Sequence, residues 1–378
     1  MILPFTSLIG EFQFYQNSLN PTLMEVKTIW NNSYNLIYAA NAIVEGLEQS
    51  PIAENDKNRL RGEALFMRAY IHFHLLNLFG EIPYVMTTNY RVNAAISKLP
   101  KDEVYELIIA DLEVAKGLMQ SGSAGTNKTR VGKDAVRAFL ARVYLYDKQW
   151  NKAEIEADEV INSGNYVWVD NLEEVFLKGS TGTVWQLRPT SEGKPTLEGE
   201  NFIFTLSPPP NRSVSESLIN AFENGDKRKE VWLGSVTGET QTFYYPYKYK
   251  QNSNQGTSSE YSVMIRLEEL YLIRAEARLK RSNLVGAKSD INKIRNRAEL
   301  PEVVSNNENE LLEILLNERR IELFCELGHR FFDLKRTGKI NATLTPVKLG
   351  WNETDILWPL PESELLLNPN LLPQNSGY

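Results

Sequence analysis

The stretch that decides the fold is Asn317 to Gly338, N-E-R-R-I-E-L-F-C-E-L-G-H-R-F-F-D-L-K-R-T-G. Leu316, Arg320, Leu323, Leu327, Phe331 and Leu334 recur at intervals of three and four, so one stripe of a helix is almost wholly apolar. On a neighbouring face Arg319 stands three before Glu322, and Glu326 four before Arg330, spacings at which opposite charges meet. The stretch reads as one long amphipathic helix laced by ion pairs. Cys325 falls within it as a small buried hydrophobe.

The same period extends upstream. Trp30, Tyr34, Ile37, Asn41, Val44 and Leu47 share one stripe, which Ser50-Pro51 ends because proline disfavours helix in the residue before it. From about Asn55 to Phe79 apolar residues cover more than one side, so that helix is expected between neighbours. Gly80, with Pro83 beyond, terminates it. Further helices are predicted over Lys101 to Met119, Gly132 to Tyr146 and Asn151 to Ile161. The segment Ala141 to Ala153 aligns with Ala275 to Ala287, alanine standing at both ends of each copy; small residues there let antiparallel helices pack closely, as in tetratricopeptide repeats. The expected organisation is helical repeats over 20–165 and 261–338, a loop-rich insertion over 166–260 and an irregular segment over 339–378. Within the insertion, Thr183-Val-Trp-Gln-Leu, Phe202-Ile-Phe-Thr-Leu and Thr242-Phe-Tyr-Tyr read as short strands among Gly, Pro, Asn and Ser. An irregular insertion on a helical scaffold is where function usually sits.

Composition narrows the function. The chain has 378 residues, 42% hydrophobic and 24% charged, as in an ordinary globular protein. Its net charge of -7 argues against a nucleic-acid partner, which calls for a basic surface. No apolar run is long enough to span a bilayer as a helix. The single cysteine excludes an intramolecular disulfide. Met1-Ile2-Leu3-Pro4 lacks the basic start of a secretory signal.

Catalytic motifs are missing: there is no G-x-S-x-G, P-loop, post-strand G-x-G-x-x-G or H-E-x-x-H. His72 and His74 point to different faces of a helix and His329 stands alone, so the three histidines read as structural and no metal or cofactor is expected. Two carboxylates on such a scaffold could hydrolyse a glycoside, yet the adjacent pairs Glu268-Glu269 and Glu173-Glu174 point apart on a helix. The positive feature is aromatic. Trp168, Trp185, Trp232, Tyr244, Tyr245 and Tyr247 crowd the insertion with Gln186, Arg188 and many Asn. Flat rings suit sugar faces, and amide and guanidinium groups satisfy hydroxyls. The expected ligand-binding residues are Trp185, Gln186, Arg188, Tyr244 and Tyr245, with one side of Trp185 exposed.

Several blocks, in order, resemble the SusD/RagB family of surface nutrient-binding lipoproteins. They are Trp30 to Asn41; Gly62-Glu-Ala-Leu-Phe-Met-Arg-Ala-Tyr with Asn77-Leu-Phe-Gly-Glu-Ile-Pro-Tyr; Ala135 to Ala153; Gly225-Asp-Lys-Arg; Tyr247-Lys-Tyr with Ile265 to Ala277; Glu318 to Gly338; and Leu357-Trp-Pro-Leu-Pro-Glu-Ser-Glu with the closing Asn368-Pro-Asn and Gly377-Tyr378. The resemblance implies a mostly α, tetratricopeptide-like superhelical scaffold. It also implies non-catalytic capture of an oligosaccharide at a bacterial outer membrane and delivery to a SusC-like TonB-dependent transporter. The family's lipoprotein signal and acylated cysteine are not seen, and Cys325 is no candidate anchor, so a missing N-terminal part carrying the lipid anchor is expected. A peptide-binding member of the family, an intracellular repeat adaptor and a glycoside hydrolase are the alternatives. The matching blocks are scaffold, so no binding residue transfers by motif, and Glu318 to Gly338 is expected to be a strut behind the repeat pair near Tyr261.

Overall fold

A computed structural model describes residues 2–4, 9–120, 125, 127–210 and 212–378. The chain is mostly helical, with short strands between the helices. In chain order the helices are α1 (Ile9–Gln16), α2 (Met24–Glu48), α3 (Glu54–Phe79), α4 (Tyr90–Asn93), α5 (Lys101–Leu118), α6 (Lys133–Tyr146), α7 (Trp150–Ile161), α8 (Leu197–Phe202), α9 (Glu216–Ile219), α10 (Lys227–Trp232), α11 (Leu267–Lys280), α12 (Leu284–Arg297), α13 (Glu308–Glu322), α14 (His329–Arg336), α15 (Ile340–Leu344) and α16 (Glu362–Leu367). The strands are β1 (Ile2–Pro4), β2 (Thr183–Leu187), β3 (Arg212–Val214), β4 (Leu233–Thr237), β5 (Thr242–Pro246) and β6 (Ser262–Arg266). They pair antiparallel as β1 with β3, β2 with β6 and β4 with β5. Two compact units result. A terminal unit comprises Leu8–Ser123, Val131–Val136 and Leu334–Tyr378; a central unit comprises Met1–Ser7, Ala124–Arg130 and Arg137–Asp333.

In the terminal unit α3 packs against both α2 and α5, which explains why it is apolar on several sides. Arg68 of α3 clamps the three helices, forking onto Asp111 of α5 at 2.7 and 2.6 Å and donating to Asn41 of α2 at 2.8 Å. His72 lies in the same layer: its Nδ1 donates to the Arg68 carbonyl and its Nε2 accepts from the Val85 amide, so both ring nitrogens are used. Burial holds its pKa down at about 3. The last carbonyls of a helix have no partner within it, and α3 receives three from far along the chain. Lys335 Nζ donates to Asn77 O, the Trp358 amide to Leu78 O and Asn375 Nδ2 to Phe79 O, at 2.6, 2.9 and 2.7 Å. The segment expected to be irregular after Gly338 thus holds short helical turns and serves as the cap of α3.

In the central unit the aligned alanines do what small residues predict. Ala141, Ala153, Ala275 and Ala287 are all fully buried, and α11 packs against α7, α12 and α13. Arginines of α11 pin that stack. Arg274 reaches Asp158 and Asp290 at 2.6 and 2.7 Å, and Arg278 reaches Glu154 and Asp290 at 3.0 and 2.8 Å. Leu311, Leu315 and Leu323 join the apolar cluster of α11 and α12, so α13 braces the repeat pair.

The opening stretch departs from its expected form. It is two helices, because the chain turns at Leu323–Gly328, with Cys325, Leu327 and Gly328 at φ of 56°, 43° and 74°. Continuing the helix needs the Glu322 carbonyl as an acceptor, but Lys248 and Arg266 take it at 2.7 and 2.8 Å. The expected local ion pairs give way to long-range ones. Arg319 donates to Asp333 at 2.8 Å. Glu322, wholly buried, receives Arg228, Arg266 and Arg297 at 3.2, 2.6 and 2.5 Å. Glu326 receives Lys248 and Arg266 at 2.5 and 2.9 Å. Three guanidiniums around one carboxylate hold the Glu322 pKa far below its usual range against the cost of burial.

Candidate functional site

The insertion belongs to the central unit, and its strands sort the expected residues by face. In β5 side chains alternate between the two sides of the ribbon. Tyr244 packs against the apolar core that includes Phe176, Trp232 and Tyr249, and Pro246 and Lys248, which follow it at intervals of two, are buried. Phe243, Tyr245 and Tyr247 lie on the opposite parity, each half-buried.

On that outer side the rings form a row. Phe204 meets Tyr245 with centroids 5.0 Å apart, and Tyr245 meets Tyr247 edge-on at 5.6 Å. Gly234, opposite Tyr245 in the β4–β5 register, makes the row possible: a Cβ there would come within 2.3 Å of the Tyr245 ring. Lys250 ends the row, its ammonium 4.0 Å from the Tyr247 centroid and bonded to Val231 O at 2.7 Å and Glu173 at 3.2 Å. Burial raises the Tyr245 hydroxyl pKa, so the phenol keeps its proton and can both donate and accept.

The loops beside the row are tied down by amides and carboxylates. Gln251 Nε2 donates to Gly193 O at 2.7 Å, and Glu260 accepts the backbone amides of Lys250 and Gln251 at 2.7 and 2.9 Å. Gly199 of α8 comes so near this loop that a Cβ would stand 2.2 Å from Gln251 O. Side chains presented here sit on backbone already fixed, which lowers the ordering cost of binding.

The remaining expected residues are placed differently. Trp185 is 2% exposed and Gln186 fully buried, so the expected open side of Trp185 is absent. The register of β2 against β6 shifts on either side of Trp185, and such bulges re-aim successive side chains; four residues in a row, Thr183 to Gln186, are buried. The Gln186 amide donates to Asn127 O and Lys178 O at 2.7 and 2.9 Å, binding protein. Arg188, just past β2, is exposed. The run expected as a strand at Phe202 to Leu206 is instead the end of α8 and a loop that delivers Phe204 to the row. Phe204, Tyr247, Lys250 and Gly234 were not among the expected ligand-binding residues, although Tyr247 was counted with the aromatics of the insertion; the period-two spacing of Phe243, Tyr245 and Tyr247 was the available signal.

The adjacent carboxylates Glu268 and Glu269, expected to point apart, each bond to buried arginines. Glu269 takes both forks of Arg142 at 2.6 and 2.7 Å, which holds its pKa at about 2 against burial, and Glu268 pairs with Arg297 and Arg266. Both are 2% exposed. An open hollow of about 430 Å³ lies at the turn from α9 into α10, over Ile219 and Phe222, and its Asp226 is committed to Arg228 at 2.8 Å. Its lining runs into α10, and none of it belongs to the Phe204–Tyr245–Tyr247 row. Among the described residues no cluster of three metal-ligating side chains occurs, and no helix is long and apolar enough to cross a membrane.

Stacked helix pairs carrying a loop-rich, aromatic-faced insertion define a helical-repeat binding scaffold. Comparison with known proteins makes that class specific. Residues 6–145 match a family model described as starch-binding and associating with the outer membrane, and residues 220–352 match the SusD family model. A SusD-like protein of Formosa agariphila is 30% identical over 412 residues, covering 93% of this chain and 81% of its own. The fold matches a SusD superfamily protein from Parabacteroides distasonis with a TM-score of 0.85 at 23% identity, covering 100% of this chain and 91% of that one. It also matches a laminarin-binding SusD-like protein with a TM-score of 0.81 at 24% identity, covering 98% and 89%. The chain belongs to the SusD family, whose members are generally carbohydrate-binding rather than catalytic.

Proposed function

We propose that this chain captures an oligosaccharide without altering it, on the Phe204–Tyr245–Tyr247 row with Lys250 beside it, and passes it to a SusC-like TonB-dependent transporter. The carrying observation is the row itself: three rings in contact, half open to solvent or just beneath it, seated on Gly234 and braced by loops. Ring faces stack on sugar rings, and the phenol and ammonium groups bond hydroxyls. Each such contact is modest, which suits a protein that must release its cargo. Of the residues expected from sequence, Tyr245 stays on this proposed face; Tyr244 packs on the core side of the same ribbon, Trp185 and Gln186 are buried in β2, and Arg188 is exposed just past β2. Anchoring at the outer-membrane surface by an N-terminal lipid is part of the same reading, on family grounds.

The test is a glycan array run beside a peptide library. Binding confined to glycans, with no new reducing ends after prolonged incubation, is the expected result. Peptide-only binding would sink the sugar reading, and released reducing ends would sink the non-catalytic one. Co-purification of a TonB-dependent transporter from native membranes tests delivery.

A further inference from the structure

We propose that Lys248 is the positioning residue of the aromatic row, pegging the bend that follows β5 into the break between α13 and α14 and so fixing where Tyr245 and Tyr247 point. What the row binds rests on the reading above; how the row is held rests on geometry alone.

An ammonium has three donors and no acceptor, and Lys248 uses all three. They go to Glu322 O at 2.7 Å, Phe324 O at 3.0 Å and Glu326 Oε1 at 2.5 Å. The surrounding walls are rings, with Phe324, Trp232 and Phe176 centroids at 4.0, 4.9 and 5.4 Å. Glu322 O and Phe324 O lie at and just beyond the C-terminus of α13, where carbonyls lack helical partners and the helix dipole favours a cation. The left-handed residues Cys325 and Leu327 turn the chain immediately afterwards. The break in the family's signature stretch is therefore a socket, and the insertion supplies the plug.

Chain geometry carries the effect to the row. β5 ends at Pro246, and Lys248 lies two residues on, in a bend that turns both it and Tyr249 into the core. Tyr247, the residue before it, donates its amide to Trp232 O at 2.8 Å and keeps its ring half-buried on the outer side. Holding the ammonium inside fixes this bend, and with it the ring planes of the row. Tyr247 is adjacent in sequence to the peg and forms the junction between Tyr245 and Lys250. A lysine that only stabilised the core would leave those rings unmoved when replaced by an apolar residue of similar length.

The experiment is a double-mutant cycle of Lys248→Met and Tyr247→Ala, read as glycan affinity, with 3-fluorotyrosine placed at position 245 to report ring environment by fluorine NMR. Each single variant is expected to weaken binding about three- to tenfold. The double variant is expected to be no weaker than the worse single one, because both act through the same ring. The fluorine signal should shift in Lys248→Met while far-ultraviolet circular dichroism stays native. Additive losses, or an unmoved fluorine signal, would overturn the positioning role. If the fluorine signal shifts but no variant, nor the parent, binds any glycan, the lysine's role stands and the sugar reading fails. Should Lys248→Met not fold, Glu326→Gln replaces it in the cycle; it leaves the lysine in place with one weaker acceptor. A smaller shift in the same direction is then expected, and none would overturn the proposal.

Discussion

Two regions of the central unit are held by opposite means. Around Glu322 the chain is fixed by charge: Arg228, Arg266, Arg297, Glu268, Glu318 and Glu326 are all buried and linked through ion pairs across α10, the end of β6, α11, α12, α13 and the turn after it. Around Tyr245 it is fixed by shape: a ring lies over a glycine, its neighbours touch it edge-on, and the flanking loops are bonded through backbone groups. A charge taken out of water must be matched, so the first region tolerates little movement. A ring face needs no partner, so the second can stay half open and ready for a ligand. The difference separates the scaffold, where failure means unfolding, from the face, where failure means lost affinity.

The largest way to break the comparison is Glu322→Ala. It leaves three buried guanidiniums around a gap, and removing one side of a buried ion pair costs about 3–5 kcal/mol. The expected readout is a lower urea midpoint of unfolding. A loss of under about 1 kcal/mol would place this network with surface ion pairs and erase the contrast.

How much of this was legible follows the same division. The repeat pair could be read because alanines at 141, 153, 275 and 287 answer a local demand for close helix packing. The break after Glu322 could not: Gly328 marks a turn, but the left-handed Cys325 and Leu327 follow a helix end whose Glu322 carbonyl is taken by Lys248 and Arg266, both far upstream in the chain. The i,i+3 and i,i+4 charge pairs misled for a related reason, since buried acids choose the best-solvating partner and not the nearest one in sequence. At the face, strand alternation held the information that Tyr244 and Tyr245 part company. Burial of Trp185 and Gln186 required the bulge against β6, which no local pattern announces.

A smaller effect comes from pH. His72 and His329 are buried and their pKa values fall to about 3 and about 4, mainly through lost solvation, whereas an unfolded histidine titrates near 6.5. A depressed histidine leaves the unfolded chain binding the extra proton. Stability is therefore complete above 6.5 and declines as pH falls below it, until each folded pKa is reached. His329 faces Glu269 at 4.0 Å with Arg142, Arg319 and Asp333 around it, and the arginines reinforce the downward shift. Between pH 6.5 and 5 the loss is about 2 kcal/mol per histidine. Urea midpoints at the two pH values measure it, and His72→Phe should remove about half of the slope. Glycan affinity of the folded protein should not change over that interval, because the row contains no group that titrates there. Affinity that fell in step with stability would mean the two regions are not separable.

The smallest effect sharpens the comparison most, because it sets adjacent residues against each other. Tyr245→Ala removes a ring from the outer row and is expected to weaken glycan binding by about 0.5–1.5 kcal/mol, the scale of one aromatic contact, with little change in unfolding. Tyr244→Ala removes a ring that packs on the core side; it should lower stability by about 1 kcal/mol and leave affinity alone. Isothermal titration with the best glycan from the array, paired with urea unfolding of both variants, gives the four numbers needed. If Tyr244→Ala loses affinity and Tyr245→Ala does not, the ligand is on the other side of the ribbon. The socket that holds Lys248 would then lie on the binding side, and the row on Gly234 would be packing.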